Sequence, residues 1–332
     1  MPWARNGRCF LPSCRLLEVW RDVASGEEVL SSVPVLVTGG GGMLGTALAE
    51  AAAISSRFVP HAMSHADLDV RDEAAVMRCA DRVTGGWIVH CAAMVDVKGC
   101  AADPEGARAV IVEGTRNVAA LAKASGARLL FPQSFLIYGG GDGLIEETTP
   151  PAPLSLYGEL KLEAETIVRE ALDDPLVIRM AGFFGGGPVD KNFVGRIIPA
   201  MHRAMLRGET VFPVGDRVWQ PTWTRDLAEN SLHLMQLGAA GAYQMGSHGE
   251  ATFHEMAAEI VMALGWAERL RVEPVASALV AQDETGAERR PDRAVMACER
   301  LRREGRDLQR DWRATLNAYL THPHFDQYRT GV

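Results

Sequence analysis

"VPVLVTGGGGMLGTALAEAAA", residues 33–53, decides the fold of this chain. An apolar run ends in a threonine, four glycines follow, and an alanine-rich stretch of good helix formers comes next. The order is strand, turn, helix. Gly39, Gly42 and Gly45 form a G-x-x-G-x-x-G pattern in that turn. Glycine lets the backbone turn sharply and approach a pyrophosphate with no Cβ in the way. The start of the following helix, at Met43 and Leu44, offers free N–H groups and the positive end of a dipole. Dinucleotide binding is the chemistry expected here, and a purely structural strand-to-helix turn is the plainer alternative.

Outward from that stretch the rhythm repeats. Strands are expected at "RFVPHAM" (57–63), "WIVHCAA" (87–93), "RLLFPQS" (128–134) and "PLVIRMAGFFG" (175–185). Between them lie helices at "DEAAVMRCADRV" (72–83), "DPEGARAVIVEGTRNVAALAKASG" (103–126) and "YGELKLEAETIVREAL" (157–172). Strands alternating with helices specify a parallel sheet covered on both faces, a Rossmann-type doubly wound α/β fold. Residues 33–185 are read as the NAD(P)-binding domain. Residues 186–332, richer in Gly and Pro at first, are read mainly as a substrate-binding region, with some segments such as "AYQMGS" (242–247) returning to the sheet. The charged run "ERLRREGRDLQRDWRATLNAYL" (299–320) is expected to be an amphipathic helix with a solvated face, and residues 1–32 an N-terminal extension of open role.

Bulk properties narrow the function. The 332 residues are 47% hydrophobic and 23% charged, with a formal net charge of −8, enough for a full core and unlike a nucleic-acid binder. No apolar run is long enough to cross a bilayer, and the N-terminus lacks the apolar core of a secretory signal. The six cysteines are scattered, with no C-x-x-C pair and no His cluster at metal spacing. Reduced thiols in a cytoplasmic protein without a metal site are expected.

The end of the second expected strand should report on the cofactor. An acid there favours NAD through the ribose 2′-hydroxyl, whereas a cation favours NADP. In "HAMSHADLDVRD" (61–72) no acid sits at Met63, Ser64 or His65, and Ser64 and His65 are placed to meet a 2′-phosphate. NADPH is therefore the expected cofactor, with NADH still open. In "SLYGELKLEAE" (155–165), Tyr157 and Lys161 share one helix face. An ammonium beside a phenol favours the phenolate, so the tyrosine is expected to titrate below its usual value near 10. Ser134, at the carboxyl end of a buried strand, supplies a hydroxyl for the same substrate oxygen.

The ordered set "TGGGGMLG", "HCAA", "QSFLIYG" and "YGELK" resembles the extended short-chain dehydrogenase/reductase superfamily. The later stretches "QPTWTRDLAE", "AYQMGSHGEATFHEMAAEI" and "RRPDRAVMACERL" resemble its sugar-nucleotide reductase branch, typified by dTDP-4-dehydrorhamnose reductase. The resemblance implies that Ser134 polarises a substrate carbonyl, Tyr157 is the general acid, and Lys161 tunes it and holds the nicotinamide ribose. It implies that Gly39, Gly42, Met43, Leu44 and Gly45 cradle the pyrophosphate. Asp69 and Val70 would meet the adenine end, with a helix cap as the alternative for Asp69, and Ala92 and Ala93 would line the cofactor. Asn192, Trp223 and Arg225 are the expected substrate contacts, a surface salt bridge being the alternative for Arg225. Asp226 is read as a helix cap.

The pattern also departs from the branch. Ile111 stands where an Asn is common, Gly182 where an aromatic residue often lies under the sugar, and Phe135 and Leu136 replace a polar pair. The expected function is NADPH-dependent reduction of a 4-keto sugar nucleotide. The alternatives are a sugar-nucleotide epimerase or dehydratase holding NAD, and a non-catalytic NADP-binding regulatory subunit. A nucleotide sugar is the expected partner, nucleic acid and membrane are not, and a homodimer is left open.

Overall fold

Six strands build the centre of the computed structural model, which describes residues 32–276 and 289–329. They are β1 (Val33–Thr38), β2 (Phe58–Met63), β3 (Trp87–His90), β4 (Arg128–Ser134), β5 (Leu176–Met180) and β6 (Gly241–Met245). Their spatial order is β2-β1-β3-β4-β5-β6, and every neighbouring pair is parallel. This is the doubly wound sheet expected. The expected extension falls almost wholly outside the described residues.

The longer helices are α1 (Met43–Ile54), α2 (Gly114–Ser125), α3 (Leu156–Ala171), α4 (Phe193–Leu206), α5 (Thr224–Gln236), α6 (Phe253–Ala263) and α7 (Trp312–Leu320). Because strand side chains alternate, Leu36 packs with α2 and α3 on one face, while Val35 and Val37 pack with α1 and α5 on the other. Both sets are buried, so β1 reads as continuously apolar rather than alternating. Residues from Val33 onward form one compact unit. Past residue 185 the chain returns β6 to the sheet edge. It otherwise builds a third apolar cluster from α4, α6, α7, Trp219 and Trp266.

Three expected helices differ. The one over 103–126 changes character at Ala109–Glu113, a π-helical turn. There Thr115 Oγ1 donates to the Ile111 carbonyl at 2.5 Å, and Gly126 closes the run in the left-handed region. The one over 72–83 is two short pieces, Glu73–Met77 and Ala80–Val83.

The charged run over 299–320 breaks into Glu299–Arg303 and α7, with Gly305 at φ +65° between them. It is not simply a solvated face. Arg300 lies over the Tyr243 ring, Arg306 donates to the Tyr243 hydroxyl, and Arg310 pairs with the buried carboxylate of Asp226. The arginines are turned inward because β6 and α5 present a phenol and an acid to them.

Candidate active site

Ligands of open α/β sheets bind beyond the carboxyl ends of the strands, where successive connections part in opposite directions. Here that point is between β1 and β3. The chain leaves β1 for β2 on one side and leaves β3 for β4 on the other. The glycine turn fills this crevice. Gly39 is left-handed at φ +65°, and a Cβ there would stand 2.7 Å from the Ala92 nitrogen. A Cβ on Gly45 would stand 2.4 Å from the Gly39 carbonyl oxygen. These two glycines are demanded by the fold of the loop itself as well as by any ligand. Gly42 occupies the N-cap of α1 without a side-chain cap, and no acid lies in the first turn. The free N–H groups of this helix start, at Met43 and Leu44, are what a pyrophosphate needs.

At the exit of β2, Ser64 lies beside the glycine turn. Its N–H and hydroxyl both donate to the Asp67 carboxylate, at 2.9 and 2.6 Å. Asp69 is not a helix cap. That role falls to Asp72, which accepts from the Ala75 N–H, while Asp69 binds the Arg71 guanidinium and titrates near 2 because of it. Val70 is buried against Gly114, and its carbonyl accepts from Asn117.

The structure brings Tyr157 to Ser134, with Lys161 one turn further along the same helix. Ser155 caps α3 by accepting from the Gly158 N–H, and this sets Tyr157 and Lys161 one turn apart, 7% and 5% exposed. The Tyr157 phenol hydrogen-bonds with Ser134 at the tip of β4. Lys161 Nζ donates to the Pro132 carbonyl at 2.8 Å and lies 4.0 Å from the centre of the Phe131 ring. Burial pushes Tyr157 up to about 12, against the downward pull of the Ser134 hydrogen bond. Burial brings Lys161 down to about 8, opposed by Cys91 and Glu165. The expected lowering of the tyrosine by the lysine is absent here: burial raises the phenol, and the ammonium is aimed at the Pro132 carbonyl.

Sequence reading missed the supports. Gln133 is fully buried. Its Oε1 accepts from the Ser134 N–H, and its Nε2 donates to the Lys161 carbonyl and to Glu165. One side chain thus ties the tip of β4 to the helix carrying Tyr157 and Lys161. The signal was a polar residue inside an apolar strand. Behind the crevice, His90 bridges Thr38 at 2.8 Å and Thr115 at 3.1 Å. Burial, helped by the Lys161 charge, holds it neutral with a pKa of about 3.

On the substrate side, Asn192 Nδ2 donates to the Phe183 carbonyl at 2.8 Å. Its loop touches the start of α1, where the Lys191 N–H reaches Met43 Sδ at 3.5 Å. Asp190 anchors that loop, accepting from the Gly185 and Asn192 N–H groups and the Tyr319 hydroxyl. Trp223 precedes α5 and lies near the guanidinium groups of Arg225 and Arg310. Arg225 pairs with Glu229 at 2.9 Å, and burial raises the carboxyl of Glu50 on α1, opposed in part by the Arg225 charge. Asp226 is not a cap, since Trp223 holds that position. The space at Gly182 is taken by Trp219, whose ring carbon lies 2.5 Å from where a Cβ would be. Phe193 and Phe253 pack against that indole.

The profile of the RmlD substrate binding domain matches residues 33–324. The chain belongs to that family. It is 34% identical over 292 residues to a dTDP-4-dehydrorhamnose reductase of Streptomyces griseus, covering 85% of this chain and 91% of that protein. It is 32% identical over 284 residues to a dTDP-4-keto-6-deoxy-D-glucose reductase of Streptomyces niveus, covering 85% and 94%. The fold matches that of a dTDP-4-dehydrorhamnose reductase from Bacillus anthracis, solved in complex with NADP. That match has a TM-score of 0.77 at 23% identity and covers 88% of this chain and 100% of the other. The resemblance to the sugar-nucleotide reductase branch of the extended short-chain dehydrogenases/reductases therefore holds. Among the described residues no helix is long and apolar enough to cross a membrane.

Proposed function

We propose that this chain reduces the C4 ketone of a dTDP-linked 4-keto-6-deoxy sugar with NADPH. The observation that carries the reading is the hydrogen bond of Tyr157 with Ser134 at the carboxyl end of β4, on the same edge of the parallel sheet as the glycine turn after β1. The names of the two Streptomyces relatives support the substrate class, and the NADP complex of the Bacillus protein supports the cofactor.

The residues present fit a dinucleotide. Gly39 lets the turn close tightly against the Ala92 backbone, and α1 begins without a side-chain cap or a first-turn acid, so its first N–H groups suit a pyrophosphate. When bound, NADPH supplies the hydride to the ketone carbon. The chain's own residues do the rest. Ser134 donates a hydrogen bond to the ketone oxygen as negative charge develops on it. Tyr157, which burial keeps protonated across the physiological range, gives its proton to that oxygen. Lys161 holds a positive charge beneath the site below about pH 8. Asn192 and Trp223 border the sugar and nucleotide. Residues 33–185 carry the cofactor and most of the rest carries the substrate.

The test is turnover with dTDP-4-keto-6-deoxy sugars, reading NADPH oxidation together with the mass of the product. Stoichiometric oxidation, abolished in Tyr157→Phe, is the expected result. Turnover that consumes no NADPH would overturn it in favour of an epimerase. No turnover, with NADPH still bound, would favour a regulatory subunit.

A further inference from the structure

Ser134 and Tyr157 meet across two elements, the tip of β4 and α3, so their meeting depends on how firmly those elements are joined. Ser134 opens a short turn over Phe135–Ile137. Its hydroxyl accepts from the Leu136 N–H at 3.2 Å, so the hydroxyl goes where the turn goes. Both ends of that turn are tied to one carboxylate on α3, that of Glu165. At the entry, the Ser134 N–H donates to Gln133 Oε1 at 2.8 Å, while Gln133 Nε2 donates to the Lys161 carbonyl at 2.8 Å and to Glu165 at 2.9 Å. At the exit, the Tyr138 hydroxyl accepts from Arg179 at 2.8 Å, and Arg179 pairs with Glu165 at 2.7 Å. Gln133, Tyr138 and Glu165 are all buried.

The sheet itself does not ask for an amide at residue 133. An apolar side chain of the same length would suit this buried strand, whereas a buried amide costs free energy unless its oxygen and nitrogen both find partners. What the amide adds is connection. Its oxygen holds the residue that carries the reactive hydroxyl, and its nitrogen holds two points one turn apart on the helix that carries Tyr157. Resting on the reductase reading above, we infer that Gln133 is a positioning residue for the reduction: by holding the Ser134 N–H to α3, it sets the reach of the Ser134 hydroxyl to the ketone oxygen that Tyr157 protonates. Gln133 is fully buried and acts through Ser134 rather than on substrate. A hydroxyl displaced by about 1 Å stabilises the developing charge poorly, and an error of that size costs about a hundredfold in rate. Arg179 still holds the Tyr138 end of the turn when Gln133 is lost, so the loosening is confined to the Ser134 end.

The experiment is a double-mutant cycle on the natural chain, Gln133→Met, Ser134→Ala and the double variant, read as the single-turnover rate of NADPH oxidation with a dTDP-4-keto-6-deoxy sugar. Methionine keeps the shape of the side chain and removes its hydrogen bonds. A melt and the NADPH dissociation constant check the fold of each variant. Gln133→Met should slow the rate about ten- to hundredfold, with the dissociation constants of NADPH and of the sugar nucleotide within about twofold of the natural values. In the Ser134→Ala background the same substitution should change the rate by less than about twofold, because the hydroxyl it positions is gone. If Gln133 only stabilises the strand, Gln133→Met lowers the melting temperature and leaves the rate of the folded protein unchanged, or slows both backgrounds equally, and the inference falls while the reductase reading stands. Should Gln133→Met fail to fold, Gln133→Asn, which keeps the amide but draws it back by one methylene, carries the same expectations. If the natural chain oxidises no NADPH with these sugars, the reading falls and the inference with it.

Discussion

Gly39 and Gly182 both lie just past the carboxyl end of a sheet strand, β1 and β5, and they are glycine for different reasons. At Gly39 the backbone is left-handed and meets the backbone of Ala92. The requirement is local and shows in the G-x-x-G-x-x-G spacing. At Gly182 a side chain from a loop 37 residues further along, that of Trp219, takes up the space. Nothing near Gly182 in the sequence announces it. A site assembled from one strand-turn-helix is readable from spacing, while one assembled from distant loops is readable only once those loops are placed.

The largest expected effect breaks the cofactor half from the chemistry. Tyr157→Phe should lower kcat by about 10²–10⁴-fold, the usual contribution of a positioned general acid, with NADPH affinity kept within about twofold. Single-turnover reduction alongside cofactor titration reads both. Full activity in the variant would remove Tyr157 from the mechanism.

Next in size is the pH profile, which separates Tyr157 from its neighbour. Lys161 lies near 8 and Tyr157 near 12. Raising the pH through 8 therefore discharges the lysine while the tyrosine keeps its proton. If the ammonium is needed, kcat/KM should fall about tenfold per pH unit above 8, since that ratio reports the free enzyme's groups. A profile flat to pH 10 would show that the lysine's charge is dispensable. The direction of the tyrosine's shift is opposite to what the Tyr-x-x-x-Lys spacing suggested. Spacing shows that the side chains share a face, but not that both are dry, nor that the ammonium turns to the Pro132 carbonyl.

The same limit explains what else was and was not legible. The doubly wound parallel sheet, the glycine turn and the meeting of Ser134 with Tyr157 follow from periodicity and short motifs. The bridge made by Gln133, the return of Asp67 onto Ser64 and the inward turn of Arg306 and Arg310 each join residues whose pairing depends on tertiary placement. The expected helix over 103–126 is likewise right in extent. Its π-helical turn is followed by Thr115, whose hydroxyl meets His90 at the end of β3, a pairing that depends on tertiary placement.

A matched pair of substitutions sharpens the comparison between the two glycines. Gly39→Ala places a Cβ against fixed backbone at a positive φ, and should weaken NADPH binding about tenfold or more. Gly182→Ala pushes against the Trp219 indole, which Phe193 and Phe253 hold from the other side, at a cost of about 1–3 kcal/mol in a packed site. It should raise the KM for the sugar nucleotide about tenfold and leave the NADPH dissociation constant unchanged. Equal effects of both variants on both ligands would show that the halves are not separable.

The smallest effect is expected at Arg225, the substrate-side residue for which charge alone argued a role. Its guanidinium pairs with Glu229 one turn along α5, and its charge reaches Glu50 on α1. A helical pair at this i,i+4 spacing contributes about 0.3–0.5 kcal/mol to stability. A guanidinium shared between two acids has less left to offer a pyrophosphate than one held open for it. Arg225→Ala should therefore change the KM for a dTDP-sugar by less than about threefold, with kcat and cofactor affinity unmoved. A rise in KM of about thirtyfold or more at constant kcat would mean that substrate draws Arg225 out of its pair. In that case the short motif "TWTRDLAE" would mark a phosphate contact after all, and the substrate half would be more legible than the packing of Trp219 suggests.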